Sequence, residues 1–294
     1  MGRRADFVII GAMKCATSTL CAQFSRQPGF YMTEKEPNFF SNDENYARGI
    51  AWYEHLFNGA GNDHLCGESS THYTKLPTYP YTVKRMKEHL PDAKLIYVMR
   101  HPIDRLVSQY IHEWSERRIN VPIGKAIERH PELIAYSRYA MQLKPFLNAY
   151  GPEKILPVFF DRLHVQPKLE LARICRFVGH QGPVDWYDQP ARNVSRERMR
   201  KNALRDAMTS FPPLALLRRT LVPKTIRRRI RQLWTMKRRP KIPGSQLEKL
   251  LEVFDEDLNR LGRWLQMEIS CATFKEVTAR ETLEQGWITD TRSA

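Results

Sequence analysis

The sequence predicts an α/β fold in which a parallel sheet is flanked by helices and followed by a mostly helical C-terminal part. Up to residue 180, short apolar runs rich in β-branched residues alternate with stretches of helical spacing. The clearest strands are 6–10, 94–99 and 155–160. Continuous apolar strands that alternate with helices are typical of parallel sheets covered on both faces. After residue 180 the strand pattern disappears.

Helical spacing of apolar residues predicts helices at 18–26, 46–57, 78–90, 102–118, 166–178 and 246–266. A short apolar segment at 65–67 indicates a further strand, and the Pro, Gly, Asn and Asp residues of 28–45 indicate a loop. We expect one domain over 1–294, with a nucleotide-binding α/β core at 1–180 and a C-terminal part at 181–294. The length of 294 residues suits one large domain with an elaborated tail.

Basic residues are concentrated in one segment, 218–241. The chain has a net charge of +15, and this segment holds eleven Lys and Arg residues with no Asp or Glu among them. Apolar residues, including Trp234, are interleaved with the basic ones. The pattern is typical of an element that lies on an anionic membrane. A solvated face packed on the domain and a groove for an acidic acceptor remain alternatives. No DNA- or RNA-binding motif is present, so we expect no nucleic-acid partner.

The five cysteines and the N-terminus indicate a cytoplasmic protein, peripheral at the membrane if the basic segment binds lipid. The cysteines are widely spaced and form no Cys-x-x-Cys pair, which argues against disulfides and structural zinc. The apolar run at 7–10 is too short for a signal peptide or a membrane span.

The turn after the first strand has the composition of an anion site. It reads Gly-Ala-Met-Lys-Cys-Ala-Thr-Ser-Thr over 11–19 and leads into a helix N-terminus, where unpaired N–H groups favour phosphate or sulfate. The candidate ligand-binding residues are Lys14, Cys15, Ala16, Thr17, Ser18 and Thr19. The Gly-Lys-Ser/Thr ending of a Walker A loop is missing. An ordinary turn capped by a serine is the alternative.

A second candidate site lies at the end of strand 94–99, where Arg100 is followed by a helix that starts at Pro102 and carries Ser108. Ligands of α/β proteins bind at the carboxyl ends of strands. The arginine fork suits phosphate. A surface arginine paired with Asp104 or Asp161 is the alternative.

Together these segments resemble the PAPS-dependent sulfotransferases, which use 3′-phosphoadenosine-5′-phosphosulfate (PAPS) as sulfuryl donor. Gly-Ala-Met-Lys-Cys-Ala-Thr-Ser-Thr is similar to the family's 5′-phosphosulfate loop, and the 99–110 segment to its 3′-phosphate motif. The segments 34–40 (Glu-Lys-Glu-Pro-Asn-Phe-Phe) and 67–73 (Gly-Glu-Ser-Ser-Thr-His-Tyr) resemble the carbohydrate branch, which includes heparan sulfate 3-O-sulfotransferases. The resemblance implies a P-loop-like sheet.

The resemblance also implies roles for single residues. Lys14, Thr17 and Ser18 would bind the 5′-phosphosulfate, and Lys14 would stabilise the leaving oxygen. Arg100 and Ser108 would hold the 3′-phosphate, and Glu36 would be the catalytic base. A basic loop with Ser195 and Arg196 would close over the nucleotide, with PAPS as co-substrate, PAP as product and no metal. The implied acceptor is a hydroxyl on a glycan or glycolipid.

The chain departs from the family pattern at several positions. Cys15-Ala16 replaces Gly-Gly after the loop lysine, Ser69 replaces a lysine and Asn38 a histidine. His72 and His101 compete with Glu36 as the base. A small-molecule kinase, or a sulfotransferase for a non-carbohydrate alcohol or a tyrosyl acceptor, remain alternative functions.

Overall fold

A computed structural model describes residues 2–34, 36–188, 200, 236 and 238–280. Its centre is a five-stranded parallel sheet in the order β2-β3-β1-β4-β5. The strands are β1 (Phe7–Gly11), β2 (Phe30–Met32), β3 (Leu65–Ser69), β4 (Lys94–Met99) and β5 (Ile155–Phe159). The prediction of a parallel sheet flanked by helices is confirmed.

Strand β1 lies at the point where the chain changes direction across the sheet. Its neighbours are β3 on one side, with Phe7 opposite Gly67, and β4 on the other, with Phe7 opposite Lys94. All five residues of β1 are buried, as the continuous apolar run requires. Because all strands are parallel, the carboxyl ends of β1, β3 and β4 meet at one edge. Such a switch point opens a crevice in which α/β proteins bind ligands.

Twelve α-helices are present in the described residues. They are α1 (Thr17–Phe24), α2 (Asp43–Tyr46), α3 (Ile50–His55), α4 (Thr82–His89), α5 (Pro102–Ser115), α6 (Ile123–Arg129), α7 (Glu132–Ala135), α8 (Tyr139–Tyr150), α9 (Phe160–Val165), α10 (Pro167–Val178), α11 (Gly244–Leu265) and α12 (Phe274–Ala279). Of the described residues after 180, some form helices and none forms a strand.

The predicted strands are confirmed within one residue at β1, β4 and β5, and the short strand at 65–67 extends to Ser69. The helix predicted at 46–57 is shorter in the structure, where Ile50–His55 forms α3 and Tyr46 is the last residue of α2. Gly49 has a φ of 79° and separates α2 from α3. The strand β2 was missed because three residues carry no readable period. The helix α8 was missed as well, and it contains Pro145, a residue that disfavours helix interiors.

The long amphipathic helix predicted near the C-terminus is confirmed as α11. Its buried Asp257 carboxylate accepts hydrogen bonds from the backbone N–H groups of Ala140 (2.8 Å) and Met141 (3.1 Å), at the start of α8. Negative charge is favourable at a helix N-terminus. This contact joins the C-terminal helix to the α/β core.

Most of the basic segment 218–241 lies outside the described residues, as do Ser195 and Arg196. The membrane hypothesis therefore stays a prediction. In the part of the chain that the structure describes, every helix is too short or too polar to cross a bilayer.

Candidate active site

The loop between β1 and α1 turns through two left-handed residues. Lys14 has a φ of 74° and Ala16 a φ of 66°. Ala16 is the residue before α1, and its carbonyl accepts the N–H groups of Thr19 (3.0 Å) and Leu20 (3.1 Å). Left-handed backbone favours glycine, because a Cβ crowds the following carbonyl. Of the two residues that replace Gly-Gly, it is therefore Ala16 that adopts the left-handed conformation, whereas Cys15 does not.

The predicted anion-binding residues of this loop differ in their exposure to solvent. Lys14 is half-buried, Ser18 is exposed, and Cys15 and Thr17 are buried. Burial raises the pKa of the Cys15 thiol to about 11, so the thiol stays protonated at neutral pH. The first N–H groups of α1 have no partner inside the helix. The loop thus brings a protonated thiol, a lysine and a helix N-terminus together at the carboxyl end of β1.

Arg100 lies directly beside this loop. It follows the last residue of β4, and its Nη1 is 3.5 Å from the carbonyl oxygen of Lys14. Its guanidinium lies 4.7 Å from the centre of the Phe160 ring. In the described part of the chain Arg100 forms no salt bridge. Asp104 is paired with Arg239 (2.6 Å) and Lys275 (2.7 Å). The alternative in which Arg100 serves only as the partner of Asp104 is therefore not supported.

Tyr139 joins the loop to the end of β4. Its hydroxyl accepts the backbone N–H of Arg100 at 3.2 Å, donates to the Arg100 carbonyl, and lies 4.0 Å from the Cys15 sulfur. The hydroxyl sits on α8, an element that the sequence did not predict. Ser108 is buried on α5, two turns after Pro102. Sequence reasoning had no signal for Tyr139, since its role depends on distant backbone.

Glu36 follows β2 in the chain and lies beside the segment that follows β3. Its carboxylate is exposed and accepts a hydrogen bond from Thr71 Oγ1, 3.1 Å from Oε2. Two residues on, the Asn38 N–H donates to Ser70 Oγ at 3.0 Å, and that hydroxyl donates to Glu68 Oε2 at 2.8 Å. Side chains from the 67–73 segment therefore hold Glu36 in place.

Aromatic packing anchors the same segment. Phe39 and Phe40 are fully buried, and each ring lies 5.1 Å from that of Tyr53. The hydroxyls of Tyr53 and Tyr73 both donate to Glu68 Oε1 at 2.9 Å. Burial raises the pKa of the Glu68 carboxyl to about 7. Glu68 was not among the predicted site residues, although an acidic residue inside a buried strand is unusual and could have indicated its role.

The two competing histidines have different surroundings. His101 Nε2 lies 2.9 Å from the Cys271 carbonyl, its ring packs against Phe274, and burial lowers its pKa. His72 stacks on Tyr79, with ring centres 5.1 Å apart, and burial lowers its pKa to about 4. His101 is thus engaged with the C-terminal segment, whereas His72 lies next to Thr71 on the segment that holds Glu36.

The chain is similar to known sulfotransferases in sequence and in fold. A solved sulfotransferase from Alicyclobacillus acidocaldarius has a TM-score of 0.56 and 27% identity, over 74% of this chain and 95% of that one. Heparan sulfate glucosamine 3-O-sulfotransferase 5 of Mus musculus is 26% identical over 193 residues, which is 62% of this chain and 55% of that protein. Heparan sulfate glucosamine 3-O-sulfotransferase 6 of Homo sapiens is 30% identical over 189 residues, which is 60% of this chain and 54% of that protein.

The chain spans about half the length of the curated relatives it matches. A family model described as the sulfotransferase domain matches residues 4–262, which include the loop after β1, Glu36, the segment after β3 and Arg100. The prediction of a sulfotransferase with a P-loop-like sheet is confirmed, and the chain belongs to the sulfotransferase domain family.

Proposed function

We propose that the protein transfers a sulfuryl group from PAPS to a hydroxyl of a carbohydrate or glycolipid and releases PAP. The observation that carries the proposal is the position of Arg100 beside the Lys14 loop, at the edge where Glu36 also lies. We thereby assign donor binding, charge stabilisation and proton removal to residues that follow β4, β1 and β2 at one edge of the sheet.

The loop after β1 suits the 5′-phosphosulfate end of the donor. The N-terminus of α1 offers N–H groups and a partial positive charge, and the half-buried Lys14 adds a full charge. Charge accumulates on the bridging oxygen as the sulfur–oxygen bond breaks. A fixed ammonium beside that oxygen lowers the barrier, since it is oriented before the reaction begins.

The end of β4 suits the 3′-phosphate of the donor. Arg100 can offer two parallel N–H donors to one phosphate, and the aromatic ring of Phe160 supports its guanidinium. A further candidate donor ligand is the buried Ser108 on α5. Two more, Ser195 and Arg196, lie outside the described residues. A 3′-phosphate contact would separate PAPS from ATP-like nucleotides.

Glu36 suits the role of general base on the acceptor side. In the reaction the acceptor oxygen forms a bond to sulfur, the bond from sulfur to the bridging oxygen breaks, and the electron pair stays on PAP. The proton of the acceptor hydroxyl passes to the Glu36 carboxylate. Thr71 fixes the orientation of that carboxylate through its hydrogen bond at 3.1 Å. The carbohydrate acceptor is favoured by the resemblance of the 34–40 segment, and by the printed names of the curated relatives.

Calorimetry with PAP and ATP, followed by incubation with labelled PAPS and a panel of glycans, glycolipids and phenols, tests the proposal. We expect PAP to bind much more tightly than ATP, and the label to appear on a glycan or glycolipid. Binding of ATP in preference to PAP would favour a kinase and overturn the donor assignment. Label on phenols alone would overturn the carbohydrate acceptor and leave the donor assignment standing.

A further inference from the structure

The segment after β3 contains a buried lysine that the proposed chemistry has not used. Lys75 is 8% exposed. Its ammonium donates no hydrogen bond and forms no salt bridge within the described part of the chain, and the Tyr136 ring centre lies 5.8 Å from Nζ. Burial without a paired anion disfavours the charged form of the side chain and lowers the pKa of Lys75 to about 8.

The backbone on both sides of Lys75 is tied down. Thr74 Oγ1 donates to the Ile10 carbonyl at 2.8 Å, and the Leu76 N–H donates to Gln142 Oε1 at 2.8 Å. The Gln142 amide in turn donates to the Leu76 carbonyl at 2.9 Å. The lysine is therefore positioned by the end of β1 on one side and by α8 on the other. Rigid support of this kind is what a catalytic side chain needs.

Thr74 also places Lys75 close to the start of the Lys14 loop. A Cβ added to Gly11 would lie 2.0 Å from Thr74 Oγ1, so the two residues are in direct contact. Only a residue without a side chain allows this approach. Lys75 therefore directly follows Thr74, which packs against Gly11 at the end of β1.

The charges around Lys75 come from both halves of the site. The carboxylates of Glu113 and Glu36 act on Lys75 and favour its charged form, whereas the guanidinium groups of Arg105 and Arg118 oppose it. Arg105 also acts on the Cys15 thiol of the loop. Lys75 is therefore within electrostatic range of the candidate base Glu36 and of Arg105, whose charge also acts on the loop after β1.

We propose that Lys75 is a further catalytic residue, whose ammonium binds the oxygens of the sulfuryl group as it passes from donor to acceptor. The inference rests on the proposed function. Lys14 faces the bridging oxygen that leaves, whereas Lys75 contacts the oxygens that stay on sulfur. Lys75 keeps its protons throughout, since the acceptor proton passes to Glu36. A sulfuryl group supplies the anion that this buried ammonium lacks within the described chain.

The test compares Lys75→Met and Lys75→Arg with Lys94→Met. Lys94 is a matched control because it is a half-buried lysine over an aromatic ring, 5.5 Å from Phe177, at the opposite edge of the sheet. We expect Lys75→Met to lower kcat by ~10²–10³-fold, as loss of a transition-state donor does, with the PAP dissociation constant unchanged. Lys94→Met should keep the wild-type kcat.

The pH dependence separates a catalytic ammonium from a merely structural side chain. In the wild type, kcat/KM, which follows the ionisation of the free enzyme, should fall above the pKa of about 8, where Lys75 loses its proton. Lys75→Arg should keep most of the rate and move this decline to higher pH, because a guanidinium stays charged. Wild-type kcat in Lys75→Met, or an unmoved decline in Lys75→Arg, would overturn the proposal.

Two further readouts keep the outcomes distinct. If Lys75→Met does not fold, as judged by its melting curve, the pH profile of Lys75→Arg decides. If no acceptor in the panel is sulfated, release of PAP and sulfate from PAPS in water replaces the acceptor assay. A wild-type protein that does not bind PAP would overturn the proposed function itself, whereas normal PAP binding with a rate insensitive to Lys75 would overturn this inference alone.

Discussion

The loop after β1 is shaped by main-chain geometry, whereas the segment after β3 is held by side chains. In the loop, the Ala12 N–H donates to the Val98 carbonyl at 2.8 Å, and Lys14 and Ala16 turn the chain in left-handed conformations. After β3, by contrast, hydroxyl, carboxylate and amide side chains make the connections. The buried carboxylate of Glu68 alone accepts three hydroxyl hydrogen bonds.

This difference explains where the chain departs from its family. A main-chain site depends on backbone path, so Cys15-Ala16 can replace Gly-Gly at a modest cost in strain. A side-chain site depends on where each functional group lies. There Ser69 has replaced a lysine, and the buried lysine of the segment is Lys75. The proposed donor half should therefore behave as in the family, and the proposed acceptor half should be particular to this chain.

Removal of the candidate base should have the largest effect. Glu36→Gln keeps the shape of the side chain and loses its basicity, so we expect kcat to fall by ~10²–10⁴-fold. Glu34→Gln is the matched control, since Glu34 is also exposed and lies two residues away. Steady-state kinetics measures both, and PAP affinity should not change. Full activity in Glu36→Gln with none in His72→Ala would transfer the role to the histidine.

Removal of the loop lysine tests the donor half. Lys14→Ala should lower kcat by ~10²–10³-fold, because the stabilised charge grows only in the transition state. The exposed Lys249 on α11 supplies the control, Lys249→Ala. A change confined to the Michaelis constant would show that Lys14 serves ground-state binding instead.

The arginine at the end of β4 should act on binding more than on rate. Arg100→Ala should weaken PAP binding by about 1.5–3 kcal/mol, the usual range for hydrogen bonds to charged groups. Arg176→Ala, at an exposed position on α10, should leave the affinity unchanged. Calorimetry with PAP decides, and wild-type affinity in Arg100→Ala would exclude it from the phosphate site.

The buried carboxyl that supports Glu36 predicts a pH dependence of stability. The pKa of Glu68 is raised from 4.5 to about 7, so the folded state binds this proton more tightly than the unfolded state does. The stabilisation is complete below 4.5 and is lost as the pH rises through 7, so the free energy of unfolding should fall over that range. Urea unfolding at several pH values measures it. Glu68→Gln should flatten this part of the curve, and an identical slope in the variant would assign the dependence to another group.

The smallest expected effect concerns loop strain. Ala16→Gly should raise the free energy of unfolding by up to about 1 kcal/mol, because it relieves the left-handed alanine. Ala51→Gly, on the exposed side of α3, should instead lower it by about 1 kcal/mol, since glycine is unfavourable inside helices. Chemical denaturation of both variants gives the two signs. Destabilisation by Ala16→Gly would mean that the loop is not strained at this residue.

The sheet, the loop after β1 and the family could all be predicted from local patterns in the sequence. Strands β1, β4 and β5 could be predicted because each is a continuous apolar run. Such runs are typical of strands that are buried on both faces of a parallel sheet. The loop could be predicted because its candidate anion-binding groups lie on consecutive residues of the chain. Lys14, Glu36 and Arg100 were readable because they occur in local motifs.

How these parts meet, and which side chains support them, depends on contacts between segments that are distant in the chain. Arg100 reaches a carbonyl 86 positions earlier, and Tyr139 on α8 contacts both Arg100 and Cys15. The burial of Glu68 and Lys75, and hence their altered pKa values, depends on strands and helices packed around them. The physical reason is the range of the forces involved. Helix, strand and turn patterns arise from neighbours in sequence, whereas desolvation and hydrogen bonding between distant segments arise only once the chain has folded.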